Sequence, residues 1–215
     1  AGWWLVAAAV VFGVSLGNHP LTCLMAPGVV LFVLATTPRI IWQRWRLVLV
    51  CVLAAVATTL LVYVYLPLRS AMGPPLDYAH PADWVRTDAM GRVTGGFRYL
   101  VLGEQFRGTF HEWPTVQQAI DQVWQVIVHQ LGLAAFLAVL GVGAGLVRNP
   151  RLMALTIPWF AIPVWFLLGY ENADIDRYYL VPILVAVVWA AVALDAAWDL
   201  VVATWRLSVP GWPAD

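Results

Sequence analysis

Lysine is absent from this chain, and charge of either sign is scarce. All 12 basic residues are arginine, and charged residues make up 11% of the 215 residues while hydrophobic residues make up 62%. The formal net charge is zero, so no basic surface indicates a nucleic-acid partner. Such an apolar composition excludes a disordered chain and argues against an ordinary soluble domain.

Cysteine and the short motifs of cofactor sites are also scarce. Cys23 and Cys51 both fall inside apolar runs, where they are expected to be small buried hydrophobic residues rather than a disulfide or metal ligands. No P-loop, dinucleotide fingerprint, zinc-ligand spacing or G-x-S-x-G elbow occurs. The sequence therefore predicts no metal site, gives no evidence for a cofactor, and offers no support for nucleotide-driven chemistry.

Long uncharged runs are what the sequence has instead. Leu47–Leu66 reads LVLVCVLAAVATTLLVYVYL, and a helix of 20 residues rising about 1.5 Å per residue crosses the hydrocarbon layer of a membrane. We predict an all-α integral membrane protein of about six transmembrane helices, some of them short for a full span. The six runs are Trp3–Gly17, Leu21–Thr36, Leu47–Leu66, Val126–Val147, Leu152–Gly169 and Leu180–Val202.

The charges in the breaks between the runs predict an orientation. Pro38–Arg46 carries three arginines and no acid, the fourth break carries Arg148 and Arg151, and Arg206 follows the last run. Positive charge marks the cytoplasmic side, so these breaks are predicted inside and the alternate breaks outside. We expect the inner (plasma) membrane, with the active face extracytoplasmic.

The domain organisation follows from these spans. We predict three spans in residues 1–66, an extracytoplasmic loop with short interfacial helices at 67–122, three spans in 123–206 and a cytoplasmic tail at 207–215. Pro114 suits a first helical turn, and apolar residues then recur at helical spacing from Val116 to Ile127, which predicts a helix running into the fourth span. Because the chain starts at Ala1 inside an apolar run, we interpret it as a piece of a longer protein.

Two groups of polar residues at the outer ends of the early spans are candidate ligands for a substrate. Asn18 and His19 lie in the turn between the first two runs, where a tight hairpin is the plainer interpretation. Arg69 emerges just beyond the third run, and Arg98 stands beside Tyr99 further along the outer stretch. An arginine there either reaches lipid headgroups or holds a phosphate through its forked guanidinium.

The segment before the last run is the third candidate. It contains two tyrosines together with Glu171, Asp174, Asp176 and Arg177. This composition suits either a solvated loop or a substrate-facing edge that binds sugar hydroxyls. Asp195 and Asp199, four residues apart in the last run, share a helix face. We interpret them as the interfacial end of that span, with a proton relay as the alternative.

Four short motifs, in this order, resemble those of the bacterial membrane proteins grouped as domain of unknown function 2723. They are SLGNHPLT at Ser15–Thr22, YLPLRS at Tyr65–Ser70, DYAHPADW at Asp77–Trp84 and VTGGFRY at Val93–Tyr99. That family is related to protein O-mannosyltransferases and belongs to the GT-C glycosyltransferase superfamily. The similarity covers residues 1–110, and beyond them it rests on hydropathy and the DRYYLVP element.

The resemblance implies transfer of a sugar from a polyprenyl-phosphate carrier to a protein, lipid or glycan acceptor at the extracytoplasmic face of the membrane. The usual GT-C catalytic base, an acid in the first outer loop, has no match here, so the catalytic residue is unknown. Arg69 and Arg98 are expected to hold the donor phosphate, and Asn18 and His19 to shape the site. A non-catalytic membrane scaffold and a transporter or flippase of lipid-linked substrates are the alternatives.

Overall fold

The computed structural model describes residues 2–106, 108–110, 112–170 and 175–208, and it leaves out the side chains of Ile175 and Asp176. Helices dominate this part of the chain. In order they are α1 (Trp3–Asn18), a 3-10 turn (Pro20–Met25), α2 (Ala26–Thr36), α3 (Ile40–Gln43), α4 (Trp45–Ala71), α5 (Phe97–Val101), a second 3-10 turn (Glu104–Phe106), α6 (Val116–Leu131), α7 (Ala134–Arg148), α8 (Pro150–Leu168), α9 (Ile175–Tyr178) and α10 (Leu180–Ser208).

Three of these helices, among the residues described, are long and apolar enough to cross a membrane: α4, α8 and α10. Helices α6 and α7 pass the same test together, but they are bent by 112° at the break between them. The shorter apolar segments Trp3–Asn18 and Pro20–Thr36 fall below the length of a full span. The prediction of an all-helical membrane protein is thus confirmed at the coarse level, with three or four spans, and six spans stay a prediction.

The stretch after α4 also contains a small antiparallel hairpin, which was not predicted from the sequence. Its strands are β1 (Arg86–Thr87) and β2 (Val93–Gly95), with Arg86 opposite Gly95 and an irregular register after it. Only α5 and the second 3-10 turn represent the short helices expected in this region up to residue 110. The other described residues of this stretch form turns and irregular segments that are joined by backbone hydrogen bonds.

The chain divides into two compact units, residues 1–26 with 37–110 and residues 27–36 with 111–215. In the first unit α1 packs along α4 through small residues. A Cβ at Gly13 would overlap Ala55 and Thr58, and the Thr59 hydroxyl donates to the Gly13 carbonyl at 2.9 Å. Close backbone approach of this kind is how helices associate where lipid, not water, surrounds them.

In the second unit α7 packs against α10, and α8 covers both. Gly141 lies against the backbone of Trp189, where there is no space for a Cβ. The indole Nε1 of Trp189 donates to the hydroxyl of Thr156 at 2.9 Å, which satisfies two buried polar groups at once. Met153 and Ala135 are almost wholly buried in the same cluster.

Three predicted boundaries differ from the structure. Helix α6 runs into the fourth apolar run as expected, but Val126–Val147 is not one continuous helix, because Gly132 has a φ of +55° and α6 ends at Leu131 before α7 begins. Thr115, rather than Pro114, begins α6 as its N-cap, with a capping box to Gln118. The third span continues beyond residue 66 to Ala71 with Pro67 inside the helix, which membrane helices tolerate.

Candidate functional site

The helix pair of the first unit collects several motifs at one of its ends. Gly2 lies against Leu47, and Gly17 lies against Val62, so α1 and α4 run parallel. Their C-terminal ends are therefore on the same side of the pair. The SLGNHPLT and YLPLRS motifs, which occupy those two ends, lie on that side as well.

The turn after α1 uses its polar side chains on itself. His19 accepts a hydrogen bond from the Leu21 N–H at its Nδ1 (3.3 Å), and the Thr22 hydroxyl donates to the Ser15 carbonyl (3.3 Å). Asn18 and His19 are both exposed at the tip. These contacts stabilise the turn itself, and the expected role of Asn18 and His19 with a substrate stays a prediction.

Three motifs converge beyond the end of α4. The Ser70 hydroxyl, at the buried end of YLPLRS, donates to Asp77 Oδ2 of DYAHPADW at 2.7 Å. Backbone hydrogen bonds then join DYAHPADW to VTGGFRY, from Gly96 N–H to Ala79 O (2.6 Å), Phe97 N–H to Asp83 O (2.8 Å) and Arg98 N–H to Trp84 O (3.1 Å). Motifs that are separated in the sequence thus form one structure.

Asp77 is the centre of this structure. Its Oδ2 lies 2.7 Å from Ser70 Oγ and 2.9 Å from His80 Nδ1, and its side chain is only 18% exposed. Neither Asp77 nor His80 was among the predicted site residues. The sequence signal for this pair is the Asp-x-x-His spacing inside DYAHPADW, in a proline-containing stretch.

Arg98 has a partner that the sequence did not reveal. Its Nη2 lies 3.2 Å from Glu104 Oε1, and the Glu104 side chain is nearly buried at 6% exposure. A carboxylate so far removed from water needs a compensating cation, so this arginine stabilises the loop. Its Nε is also buried and makes no hydrogen bond among the described residues. Part of the guanidinium is therefore already engaged before any phosphate arrives.

Arg69 and Tyr99 differ from Arg98 in their surroundings. Arg69 is exposed in the last turn of α4, and the described residues provide no ion pair for it. Tyr99 is half-buried in α5. Of the two predicted phosphate ligands, Arg69 is exposed and has no ion pair among the described residues, whereas Arg98 is partly exposed and is paired with Glu104.

The β1–β2 hairpin is closed by a carboxylate. Asp88 accepts hydrogen bonds from the backbone N–H of Arg92 and of Met90, each at 2.9 Å, and it forms an ion pair with the Arg92 side chain. These hydrogen bonds, with that from the Arg92 backbone foremost, lower the pKa of Asp88 below its ordinary value. The hairpin therefore depends on an ionised Asp88.

The predicted acceptor residues belong to the second unit. Glu171 and Asp174 lie outside the described residues, as does the side chain of Asp176. Arg177 is exposed in α9. Their expected role with an acceptor stays a prediction.

Asp195 and Asp199 are exposed and share a partner in the second unit. Arg148 Nη2 lies 3.3 Å from Asp195 Oδ2, and it also contacts the carboxylate of Asp199. The two aspartates therefore join the end of α7 to α10. An exposed, paired cluster of this kind agrees with the interfacial interpretation of this helix end.

The second unit also contains an apolar cleft of about 510 Å³ between α6, α7, α8 and α10, lined by residues such as Trp124, Ala138 and Phe160. No group of three or more potential metal ligands occurs among the residues that the structure describes.

No family model, curated protein or solved structure matches this chain. The fold and composition define a helical integral membrane protein with an ordered polar loop at the end of one spanning helix.

Proposed function

We propose that the chain is part of a membrane glycosyltransferase of the GT-C type. It transfers a sugar from a polyprenyl-phosphate donor to a protein, lipid or glycan acceptor on the extracytoplasmic face. The observation that carries this proposal is the convergence of YLPLRS, DYAHPADW and VTGGFRY at the end of α4. These motifs are the ones that resemble the glycosyltransferase family, and their hydrogen bonds bring the residues that carry the resemblance into one polar loop.

The position of the loop favours a lipid-linked substrate. A polyprenyl chain stays in the membrane, so its phosphate and sugar lie at the level of the headgroups, where a spanning helix such as α4 ends. The exposed Arg69 can donate two hydrogen bonds to a phosphate there. As the bond from the sugar to phosphate breaks, negative charge develops on the phosphate, and a fixed guanidinium stabilises it.

The test is an assay of sugar transfer in membranes from cells that express the whole protein containing this chain. Radiolabelled polyprenyl-phosphate mannose and polyprenyl-phosphate glucose serve as donors, and label that leaves the donor is measured. Arg69→Ala is expected to lower kcat/KM by about 10- to 100-fold, the value of a hydrogen bond to a charged group. Arg86→Ala, at an exposed arginine of the same loop, is the matched control.

Two outcomes would oppose the proposal. If neither donor loses label to an acceptor in wild-type membranes, transfer of these sugars is excluded. If transfer occurs but Arg69→Ala and His19→Ala leave it intact at normal expression, the chain is a scaffold beside the enzyme rather than its site.

A further inference from the structure

The Asp77–His80 pair has the arrangement of an oriented base. Asp77 Oδ2 and His80 Nδ1 are 2.9 Å apart, and the second hydrogen bond to Oδ2, from Ser70, fixes the carboxylate. Asp77 is mostly buried, whereas the His80 side chain is 49% exposed. The Asp77 carboxylate is therefore fixed in position, while the His80 imidazole is accessible to a substrate.

The hydrogen-bond pattern assigns the tautomer of His80. An ionised carboxylate only accepts hydrogen bonds, so the proton of a neutral imidazole is on Nδ1, and Nε2 carries a lone pair. Within the described residues no hydrogen bond occupies Nε2. When Nε2 takes up a proton, the imidazolium that forms is stabilised by Asp77, as in other carboxylate–histidine pairs.

The backbone around His80 is held in an unfavourable conformation. Ala79 and His80 have φ values of +59° and +48°, a left-handed region that residues with a Cβ seldom adopt. Gly96 N–H donates to the Ala79 carbonyl at 2.6 Å, and a Cβ at Gly95 would lie 2.5 Å from the same oxygen. The two glycines of VTGGFRY thus hold the turn that brings His80 to Asp77. Such strain persists mainly where it serves a site.

We propose that His80 is the general base of the sugar transfer, with Asp77 as its positioning residue. This inference rests on the proposed function, and it assigns the base to a residue other than the upstream acid that the family resemblance implies. The acceptor O–H proton moves to His80 Nε2 while the acceptor oxygen forms a bond to the anomeric carbon. The bond from that carbon to the phosphate oxygen breaks, its electron pair stays on the polyprenyl phosphate, and Nε2 later releases the proton to water.

The test uses the whole protein in membranes with the radiolabelled polyprenyl-phosphate donors described above. His80→Asn keeps an N–H donor near the position of Nδ1 and tolerates the positive φ, but it has no base. Its kcat is expected to fall about 10²- to 10⁴-fold, with the donor KM within about twofold of wild type. Tyr78→Phe, at an exposed neighbouring residue, is the matched control and is expected to keep wild-type kcat.

Chemical rescue separates a base from a structural residue. His80→Ala is expected to lose transfer and to regain part of it on addition of imidazole, whereas Tyr78→Phe is expected not to respond. The inference is overturned, and the proposed function stands, if wild type transfers sugar and His80→Asn does too. It is also overturned if His80→Ala shows no rescue while its expression equals that of wild type. If the wild-type protein transfers no sugar, both this inference and the proposed function are overturned.

Discussion

The contact between α7 and α10 provides the sharpest test of the fold, because one helix carries both the test glycine and its control. Gly141 faces the backbone of Trp189 with no space for a Cβ, whereas Gly143, two residues later, is exposed and has no neighbour within 4 Å of an added Cβ. Alanine at either position improves the intrinsic helix propensity by up to about 1 kcal/mol. Only at Gly141 does the new methyl group force the two helices apart.

The expected changes in the free energy of unfolding therefore differ between the two positions. Forcing a methyl group into a packed contact costs about 1–3 kcal/mol, and backbone on the opposing helix cannot rotate away as a side chain can. Gly143→Ala is expected to be unchanged or more stable by up to about 1 kcal/mol, and Gly141→Ala to be about 1–3 kcal/mol less stable than Gly143→Ala, because the propensity gain is common to both.

Thermal unfolding of the purified protein in detergent, followed by tryptophan fluorescence, measures the difference. A change of about 1 kcal/mol moves the Tm of a chain of this size by about 2–4 °C. Gly141→Ala is thus expected to unfold about 2–12 °C below Gly143→Ala. Equal Tm values for the two variants would refute the close approach of α7 and α10.

Three further changes test other parts of the structure. Thr156→Val leaves the buried Nε1 of Trp189 without an acceptor, so we expect a loss of about 1–3 kcal/mol in thermal unfolding, which Trp189→Phe added to it partly restores. The pKa of Asp88 is lowered in the folded protein, so the ionised carboxylate stabilises the hairpin fully above the ordinary carboxyl pKa of 3.8. This stabilisation is lost as the pH falls through the lower pKa of the folded protein. Hydrogen exchange at the Met90 and Arg92 amides, corrected for intrinsic rates, should accelerate in that acidic window and in Asp88→Ala at pH 7. Asp199→Asn should change the free energy of unfolding by no more than about 1 kcal/mol, because its pairing is exposed.

The helices could largely be predicted from the sequence because a long uncharged run satisfies its backbone hydrogen bonds in lipid only as a helix or within a closed barrel. Leu47–Leu66 lies wholly inside α4, and the other apolar runs are also mainly helical. The break at Gly132 could not be predicted, because the apolar residues of α6 and α7 follow one another without a charged gap, and a single glycine within a helix is often tolerated.

The candidate site could be predicted only in part, for a different reason. Arg69 was identified because it follows an uncharged span. The pairing of Asp77 with His80 depends on two consecutive left-handed residues, Ala79 and His80, a conformation that residues other than glycine seldom adopt. Long-range contacts from Gly95 and Gly96 support this conformation, so the Asp-x-x-His spacing alone was not enough to predict the pairing.

The buried partner of Arg98 illustrates the same limit. Gly103, with a φ of +61°, turns the chain after α5, and the next residue, Glu104, pairs with Arg98. From the sequence alone an arginine beside an aromatic residue indicates a ligand for phosphate as readily as a structural ion pair. The geometry of the turn pairs Nη2 of Arg98 with Glu104, and the expected role of Arg98 with a phosphate stays a prediction.

The central claim is that the polar end of the α1–α4 pair faces away from the cytoplasm, where a lipid-linked sugar is used. Single-cysteine variants Y78C and T37C, with Cys23 and Cys51 replaced by alanine, place one thiol at each end of the pair, since Tyr78 follows α4 and Thr37 precedes it. In intact cells a membrane-impermeant maleimide is expected to label Y78C and not T37C. Labelling of T37C alone, with Y78C reached only in inverted vesicles, would contradict the account.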